Sequence, residues 1–363
     1  MSLNASKLDE TPPQKLLIVR MSAIGDIVFA SPFAKAIKTT FPNAHIAWLV
    51  EQGNEALLAD SPYVDECVTM PAGEWRALWR NGKKWAAFRQ IRAFGAYLKA
   101  QRFDTVIDLQ GLLKSGIFAW MSAAHRRIGL GSREGSQWMM NATLPREGIP
   151  ERISSEYLYL AEQMRLDTTD FMPTLPVNAL AEECALDTLA DRGLRPGQYA
   201  VFTAFTTRPQ KHWFADAWQA LAAMVRAQTS LTPVLLGGSA DRPAAATILS
   251  AAPDVVNLTG QTRLAEAVAI IRHAGALIGV DTGLTHMGIA FAIPTVALFG
   301  STCPYTDTQR DNAKVIWLGM SCSPCRRKPS CTGKWECMRN ITPERVMTEL
   351  HAVLAHNAAM SST

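Results

Sequence analysis

Short apolar runs alternate with helix-like segments along most of the chain. The first run, at 16–19, is followed by a turn of small residues, a helical segment at 27–40 and a second apolar run at 45–50. An uninterrupted run of this length is typical of a parallel strand that is buried on both faces. The pattern therefore predicts strands that alternate with helices and form a parallel sheet covered by helices.

The alternation starts again near residue 198. Further apolar runs lie at 105–109, 199–202, 233–236, 255–258, 276–280 and 295–300, and further helical segments at 214–228 and 264–274. A chain of 363 residues is long enough for two domains that each bury a core. We therefore expect two Rossmann-like, doubly wound α/β domains whose facing cleft binds ligands.

The predicted boundaries follow composition. A polar, disordered leader is expected at 1–13, an N-terminal Rossmann-like domain at 14–175 and a C-terminal one at 176–363, with the proline-containing stretch 172–197 as the connection. The C-terminal domain would also carry a cysteine-rich loop at 322–337 and a final helix.

Composition narrows the class of protein. With 48% hydrophobic and 19% charged residues, the chain should be globular rather than disordered. No apolar run reaches the ~20 residues that span a bilayer, and the N-terminus lacks the order of a secretory signal. These features predict a cytoplasmic protein.

Positive charge is concentrated in one part of the chain. Residues 71–135 contain twelve Lys or Arg and four Asp or Glu, a net charge of +8 in a chain whose total is +4. Such a stretch suits a phosphorylated glycolipid, an anionic membrane or nucleic acid, although a solvated helix face is the alternative. The helical spacing of Trp75, Trp79, Trp85 and Phe88 predicts packing in the core, which argues against nucleic-acid binding.

The turn after the first predicted strand is Ser22-Ala23-Ile24-Gly25-Asp26. It is not the G-x-G-x-x-G fingerprint, and Gly129-Leu130-Gly131 does not supply one because no clear strand precedes it, so a nicotinamide dehydrogenase is disfavoured. Asp26 is then either a carboxylate at the ligand site or an acidic residue that stabilises the start of a helix.

Two further strand-to-helix junctions carry polar groups. Thr206-Thr207-Arg208 precedes Lys211-His212-Trp213, and Asp281-Thr282-Gly283-Leu284-Thr285-His286 follows a strand directly. Hydroxyls, a cation and the free amides at a helix start are suited to bind a diphosphate. We expect both segments to contribute to such a site.

Four of the seven cysteines fall within sixteen residues, at Cys322, Cys325, Cys331 and Cys337. Four thiolates at short spacing can form a closed tetrahedral site for Zn or Fe, which would be structural. Free thiols remain the alternative, because the spacing differs from that of a zinc ribbon.

Together, four segments resemble the lipopolysaccharide heptosyltransferases of glycosyltransferase family 9, which have the GT-B fold. The segments lie at 18–28, 106–115, 206–213 and 281–286, and the likeness extends from about residue 15 to 355. It implies an inverting enzyme that transfers heptose from ADP-heptose to the inner core of lipopolysaccharide, on Kdo-lipid A or a heptosyl acceptor.

The resemblance also implies roles for individual residues. Asp26 would be the general base. The donor would be bound by Thr206, Thr207, Lys211, Asp241, Asp281, Thr282, Gly283 and His286. The acceptor would be bound by Ser22, Arg76, Arg80, Lys83, Lys84, Gln110 and Lys114. The loop around Asp241 departs from the family pattern, since its register is uncertain.

Several expectations concern cofactors and partners. The chain has no Asp-x-Asp motif, so no metal is expected in catalysis. The enzyme should be a monomer, peripheral on the inner membrane, and should not bind nucleic acid. A protein O-heptosyltransferase, a sugar-nucleotide epimerase or mutase, and a non-catalytic GT-B protein are the alternatives.

Overall fold

The computed structural model describes residues 12–326 and 328–360 and divides into two α/β units. The first unit comprises the described residues up to Ile149 together with Ser154–Pro176, and the second comprises Pro150–Ile153 and the residues from Val177 onward. The boundary predicted from the sequence lies one residue away. Segment 150–153 joins the second unit, where the Ile153 N–H donates to the Asp307 carbonyl at 2.9 Å.

The predicted leader lies mainly outside the described residues, which begin at Pro12. Pro13 is already buried. The packed part of the first unit therefore begins slightly earlier than the predicted boundary at residue 14.

The first unit follows the predicted alternation. Its strands and helices are β1 (Lys15–Val19), α1 (Ile24–Thr40), β2 (His45–Glu51), β3 (Glu66–Met70), α2 (Ala72–Arg80), α3 (Lys84–Ala100), β4 (Thr105–Asp108), α4 (Leu113–Met121), β5 (Arg126–Leu130), β6 (Ala142–Leu144) and α5 (Ser155–Gln163). Single 3₁₀ turns lie at Glu55–Leu57 and Ser136–Met139.

The six strands form one parallel sheet in the order β3-β2-β1-β4-β5-β6. In the centre, Ile18 of β1 lies opposite Trp48 of β2 and Ile107 of β4, and all three side chains are fully buried. Helices cover both faces of such a sheet, which explains the uninterrupted apolar runs. The strand order reverses between β1 and β4, where ligands bind in doubly wound folds.

The second unit repeats this architecture. Its strands and helices are α6 (Ala179–Ala190), β7 (Tyr199–Thr203), α7 (Ala215–Gln228), β8 (Thr232–Leu235), α8 (Arg242–Leu249), β9 (Val256–Asn257), α9 (Leu264–Arg272), β10 (Ala276–Val280), α10 (Gly283–Ala290), β11 (Thr295–Phe299), β12 (Ala313–Trp317), α11 (Glu336–Arg339) and α12 (Pro343–Met360). Further 3₁₀ turns lie at Pro209–Lys211 and Ser239–Asp241.

The second sheet is also parallel, with the order β12-β11-β10-β7-β8-β9. Ile278 of β10 lies between Phe202 of β7 and Val296 of β11, and all three are fully buried. The reversal of strand order now falls between β7 and β10. The prediction of two doubly wound parallel sheets is confirmed.

One local expectation was wrong, and a second lacked a helix that the structure contains. Gly129 and Leu130 do lie on a strand, β5, which begins with Arg126 and Arg127 and therefore lacks an apolar start. The predicted connection 172–197 contains helix α6, whose first turn is stabilised by the Asn178 side chain accepting a hydrogen bond from the Ala181 N–H at 3.0 Å. The prolines of that stretch flank the helix rather than interrupt it.

The predicted core packing of the four aromatic residues among the cations is confirmed for one of them and wrong for the other three. Trp75 is buried and packs edge-on against Phe94, with ring centroids 5.6 Å apart. Trp79, Trp85 and Phe88, in contrast, are 57%, 83% and 49% exposed. Helix α3 instead buries Ala87, Gly95 and Leu98.

Across the described residues, none of the helices combines the length and the apolar character that crossing a bilayer requires.

Candidate functional site

The polar groups of the second unit meet at the carboxyl ends of β7 and β10. Lys211 lies in the 3₁₀ turn that follows β7, and Asp281 is the first residue after β10. The Lys211 Nζ lies 2.6 Å from Asp281 Oδ2, and the side chains are 16% and 10% exposed. The reversal of strand order thus brings two segments 70 residues apart into direct contact.

Asp281 is the most heavily bonded group of this site. Its Oδ1 accepts a hydrogen bond from His286 Nε2 at 3.3 Å, and its Oδ2 accepts one from the Thr302 hydroxyl as well as from Lys211. Burial alone would raise the pKa of this carboxyl, but the interactions with His286 and Lys211 outweigh burial and hold its pKa well below the usual range. Asp281 is therefore a buried anion that fixes the cation beside it.

His286 connects Asp281 to Tyr305. The His286 Nδ1 lies 2.6 Å from the Tyr305 hydroxyl, and both side chains are almost fully buried. Burial raises the pKa of Tyr305 well above its usual value, so its hydroxyl keeps its proton and can donate to Nδ1. Since the Asp281 carboxylate can only accept, Nε2 carries the imidazole proton.

A glycine allows β7, β10 and α10 to pack closely beneath this site. Gly279 lies opposite Thr203 in the sheet, and a Cβ at residue 279 would stand 1.8 Å from Thr203 Oγ1 and 2.2 Å from Thr285 Oγ1. The two threonine hydroxyls are 2.8 Å apart, and that of Thr285 also donates to the Val280 carbonyl at 2.6 Å. These bonds fix the start of α10 relative to the strand ends.

The remaining predicted donor residues lie around the same edge. Thr282 is the N-cap of α10 and Gly283 its first residue, so their amides belong to the helix start, where N–H groups lack partners within the helix. Thr206 is half-buried and Thr207 exposed in the loop after β7. Asp241 follows β8, and its Oδ2 accepts a hydrogen bond from the Gly238 N–H at 2.8 Å.

In the first unit, Asp26 lies in the first turn of α1. Its Oδ2 accepts a hydrogen bond from the Ala23 N–H at 3.1 Å and pairs with Arg20 Nη2 at 2.7 Å. The Arg20 side chain is 8% exposed and that of Asp26 is 44% exposed. Asp26 thus stabilises the helix start, as the simpler alternative proposed, and also presents an accessible carboxylate at the carboxyl end of β1.

Gln110 holds the turn that leads to Asp26. It is 5% exposed, and its side-chain oxygen accepts a hydrogen bond from the Met21 N–H at 3.0 Å. Asp108, fully buried, in turn accepts from the N–H groups of Gln110 and Gly111 at 2.9 and 3.0 Å. Burial raises the Asp108 pKa despite these bonds. Gln110, predicted as an acceptor contact, is thus placed where it positions the loop.

Glu51 was missed by sequence reasoning. It ends β2, and its carboxylate lies 3.4 Å from Arg76 Nη1 and 3.3 Å from Lys114 Nζ. Glu51 is largely buried, whereas both cations are more exposed. Its position at the end of β2, the strand next to β1, is the feature that could have identified it as a site residue. The structure therefore brings together two of the predicted acceptor residues through an acid that was not predicted.

The other predicted acceptor residues are distributed more widely. Ser22 is half-buried in the turn after β1. Arg80, Lys83 and Lys84 are exposed around the turn that joins α2 and α3, with Lys84 Nζ 5.5 Å from the centre of the Trp79 ring. These three cations belong to a helical surface rather than to the strand ends.

The chain is similar in sequence to a known family of enzymes. A sequence profile of glycosyltransferase family 9 (heptosyltransferase) matches residues 91–336, about two thirds of the chain. The chain belongs to this family. It is a glycosyltransferase, and the predicted recognition is confirmed.

Individual relatives agree with the assignment. The chain is 27% identical to lipopolysaccharide heptosyltransferase 1 of Pseudomonas aeruginosa, over 94% of this chain and 98% of the relative. The solved ADP-heptose lipopolysaccharide heptosyltransferase II of Escherichia coli is similar with a TM-score of 0.75 and 24% identity, over 95% and 100% of the chains. An E. coli heptosyltransferase solved with ADP-2-deoxy-2-fluoro heptose gives a TM-score of 0.70 and 22% identity, over 93% and 99%. The GT-B fold class is confirmed.

In the family 9 transferase, the four cysteines predicted as metal ligands lie close together. Cys322, Cys325, Cys331 and Cys337 line one cavity of about 20 Å³. Burial, with a contribution from the neighbouring thiols, raises the pKa of Cys337 to about 11. Within the described residues, no three candidate ligand side chains already stand in metal-binding geometry.

The ion pair at Asp281 yields a stability prediction for the transferase. Asp281→Asn should lower the free energy of unfolding by about 3 kcal/mol at neutral pH, because it leaves Lys211 without its buried counter-charge. The folded-state pKa lies below the unfolded one, so the contribution is complete above about pH 4 and is lost as pH falls through the folded pKa. Urea unfolding across this pH range measures it.

The matched control is Glu266→Gln in the same unit, whose partner Arg263 is 75% exposed. A pair whose cation lies in solvent contributes little, and glutamine keeps an oxygen to accept the Arg263 N–H at the helix start, so this variant should unfold nearly as the unmodified protein does. Equal stability of the Asp281→Asn variant and the unmodified protein at neutral pH would contradict the role given to Asp281.

Proposed function

We propose that this transferase moves heptose from ADP-heptose to the inner core of lipopolysaccharide, on Kdo-lipid A or a heptosyl acceptor, with inversion at the anomeric carbon. The observation that carries the proposal is the pairing of Lys211 with Asp281 at the start of α10. Membership in the family supports the type of reaction. The named ligand of one solved relative supports an ADP-sugar as the donor.

The second unit would bind the donor. Lys211 donates to the Asp281 carboxylate at 2.6 Å and more weakly to the Asp281 carbonyl at 3.5 Å, which leaves one of its three N–H bonds for the diphosphate. The amides of Thr282 and Gly283 add donors at the positive end of the α10 dipole. Thr206 and Thr207 supply hydroxyls, His286 orients Asp281 near the sugar, and Asp241 is the candidate for the ribose.

The first unit would supply the base. As the acceptor oxygen bonds to the anomeric carbon, Asp26 takes its proton and the bond from that carbon to the diphosphate breaks. The electron pair leaves with ADP, whose charge Lys211 and the α10 amides stabilise. Arg20 is buried and keeps the Asp26 carboxylate in place. No metal is needed for this displacement.

The acceptor would bind through the remaining polar groups of the first unit. Arg76 and Lys114 flank Glu51 and, with Ser22 and Gln110, lie around the carboxyl ends of its strands. Arg80, Lys83 and Lys84 add positive charge suited to the phosphates and carboxylates of Kdo-lipid A. We further propose a monomer that works in the cytoplasm, peripheral on the inner membrane, without a nucleic-acid partner.

We also propose a structural Zn or Fe ion at the four cysteines. They already line one cavity, and four thiolates satisfy the preference of either metal for tetrahedral sulfur ligation. Burial raises the pKa of Cys325 and Cys337, so binding would release their protons. The ion would cross-link the loop and take no part in glycosyl transfer.

The donor proposal is tested with Lys211→Met. The variant should bind ADP about tenfold to a hundredfold more weakly than the unmodified protein, because one charge-assisted hydrogen bond is lost. Isothermal titration with ADP-heptose, ADP and UDP-sugars measures it. Lys35→Met, which removes a cation paired with Asp170 in the first unit, is the control. Absent ADP binding, or equal binding of UDP-sugars, would exclude an ADP-specific donor.

The base proposal is tested with Asp26→Asn. Turnover onto Kdo-lipid A should fall by about a hundredfold to ten-thousandfold, while the affinity for ADP stays unchanged, because only the proton acceptor is removed. Mass spectrometry of the acceptor measures the transfer, and Asp170→Asn should retain it. Unchanged turnover of the Asp26→Asn variant would remove Asp26 from this role.

Elemental analysis of the purified full-length chain tests the metal proposal. We expect about one Zn or Fe per chain, and its loss from Cys325→Ser and Cys331→Ser. Cys67→Ser, which changes a cysteine of the first unit, should retain the metal. Metal-free protein with the four thiols open to alkylation under denaturing conditions would show that the cysteines are simply reduced.

A further inference from the structure

One surface of the first unit includes the proposed acceptor cations Arg80, Lys83 and Lys84 but extends well beyond them. Between Trp75 and Phe103 the chain contains eight Lys or Arg and no Asp or Glu. This stretch forms α2, α3 and the turn between them. We call the exposed residues Trp79, Arg80, Lys83, Lys84, Trp85, Phe88, Arg89 and Arg92 the aromatic-basic face.

The aromatic rings and cations of this face contact one another. The rings of Trp85 and Phe88 meet edge-on, with centroids 6.1 Å apart. The Arg92 guanidinium lies 6.0 Å from the centre of the Phe88 ring, and Lys84 Nζ lies 5.5 Å from that of Trp79. Apolar rings and positive charges therefore form one continuous patch.

These rings lie outside the buried core of the first unit. Helix α3 is anchored by Ala87 and Leu98, which are buried, and Trp75 anchors α2. Trp85 is 83% exposed, so most of a large apolar side chain stays in water. Contiguous exposed apolar groups of this kind mark interaction surfaces.

Among the residues that the structure describes, the exposed tryptophans are confined to this layer of the first unit. Trp120 on α4 and Trp138 in the turn Ser136–Met139 are 60% and 86% exposed. Helix α2 packs on α3, α3 packs on α4, and α4 packs on that turn. The exposed tryptophans of the described residues thus lie on successive, mutually packed elements of one helical layer. Trp120 and Trp138 lie in this layer in addition to the aromatic-basic face.

We propose that the aromatic-basic face docks on an anionic lipid bilayer. Aromatic rings settle at the level of the headgroups, and Lys and Arg pair with anionic lipids while their stems cover apolar surface. The absence of acidic residues from 75 to 103 avoids repulsion from such a surface. The proposal extends the proposed function, which requires the enzyme to reach a sugar carried on a lipid.

The contacts between the rings favour lipid over nucleic acid. Bases bind to aromatic residues by stacking on free ring faces. Trp85 and Phe88 instead contact each other edge to face, and a cation lies near the Phe88 ring. The rings therefore present a joint apolar patch, which suits the boundary between headgroups and acyl chains.

Flotation of the full-length chain with vesicles tests the docking. We expect binding to phosphatidylethanolamine vesicles that contain phosphatidylglycerol and much weaker binding when phosphatidylcholine replaces the anionic lipid. Trp85→Ala combined with Phe88→Ala should weaken binding by at least about tenfold. Arg89→Gln combined with Arg92→Gln should weaken it by about thirtyfold and reduce its salt dependence.

Matched controls lie in the second unit. Leu180 is 66% exposed on α6, and Lys314 is exposed on β12, so Leu180→Ala and Lys314→Gln should bind as the unmodified protein does. The docking would be overturned if the unmodified chain failed to bind anionic vesicles. It would also be overturned if both double variants bound these vesicles as tightly as the unmodified chain does. If the chain retained an oligonucleotide but did not bind vesicles, the partner of this face would be nucleic acid and not lipid.

Activity separates this proposal from the proposed function. The Trp85→Ala, Phe88→Ala variant should transfer heptose normally to a deacylated, soluble core oligosaccharide and poorly to the same core embedded in vesicles. Equal losses on both acceptors would overturn the docking role. Vesicle binding without heptose transfer to any acceptor would support the docking and refute the proposed function.

Discussion

The reversal of strand order within each parallel sheet is the constraint on which both sites depend. Successive crossovers leave the central strands in opposite directions, so the chain segments after two adjacent strands diverge and leave their ends accessible. In the first unit these strands are β1 and β4, and in the second they are β7 and β10. Asp26 and Gln110 follow the first pair, and Lys211 and Asp281 the second. Residues far apart in sequence become neighbours because of strand order alone.

The buried centre of each sheet could be predicted well from the sequence, and its edges could not. Strand β10 was predicted residue for residue, since its continuous apolar run reflects burial on both faces. Edge strand β12 exposes Lys314, and β5 begins with two half-buried arginines, so neither has a continuous apolar run. Helix α6 was not predicted because prolines flank it. Prolines indicate the boundary of an element but not the structure of the residues between them.

The site was only partly predictable for a related reason. Asp281, Lys211 and Asp26 lie in junctions whose residue types already indicate ligand binding. Glu51 is the last residue of β2 and Thr302 follows β11, and they join the site only because β2 lies beside β1 and β11 beside β10. Helical spacing likewise shows that Trp85 and Phe88 share a face. It does not reveal that no other element covers them.

The hydrogen-bonded chain from Tyr305 through His286 and Asp281 to Lys211 has a consequence for how the enzyme distributes its chemistry. Asp281 and Tyr305 titrate far from neutrality in opposite directions, and the imidazole between them has each ring nitrogen engaged. A diphosphate bound there would meet a carboxylate and a phenol whose protonation states do not change near neutral pH. Under the proposed function, the second unit would supply fixed charges to the donor, and proton transfer would be left to Asp26 of the first unit.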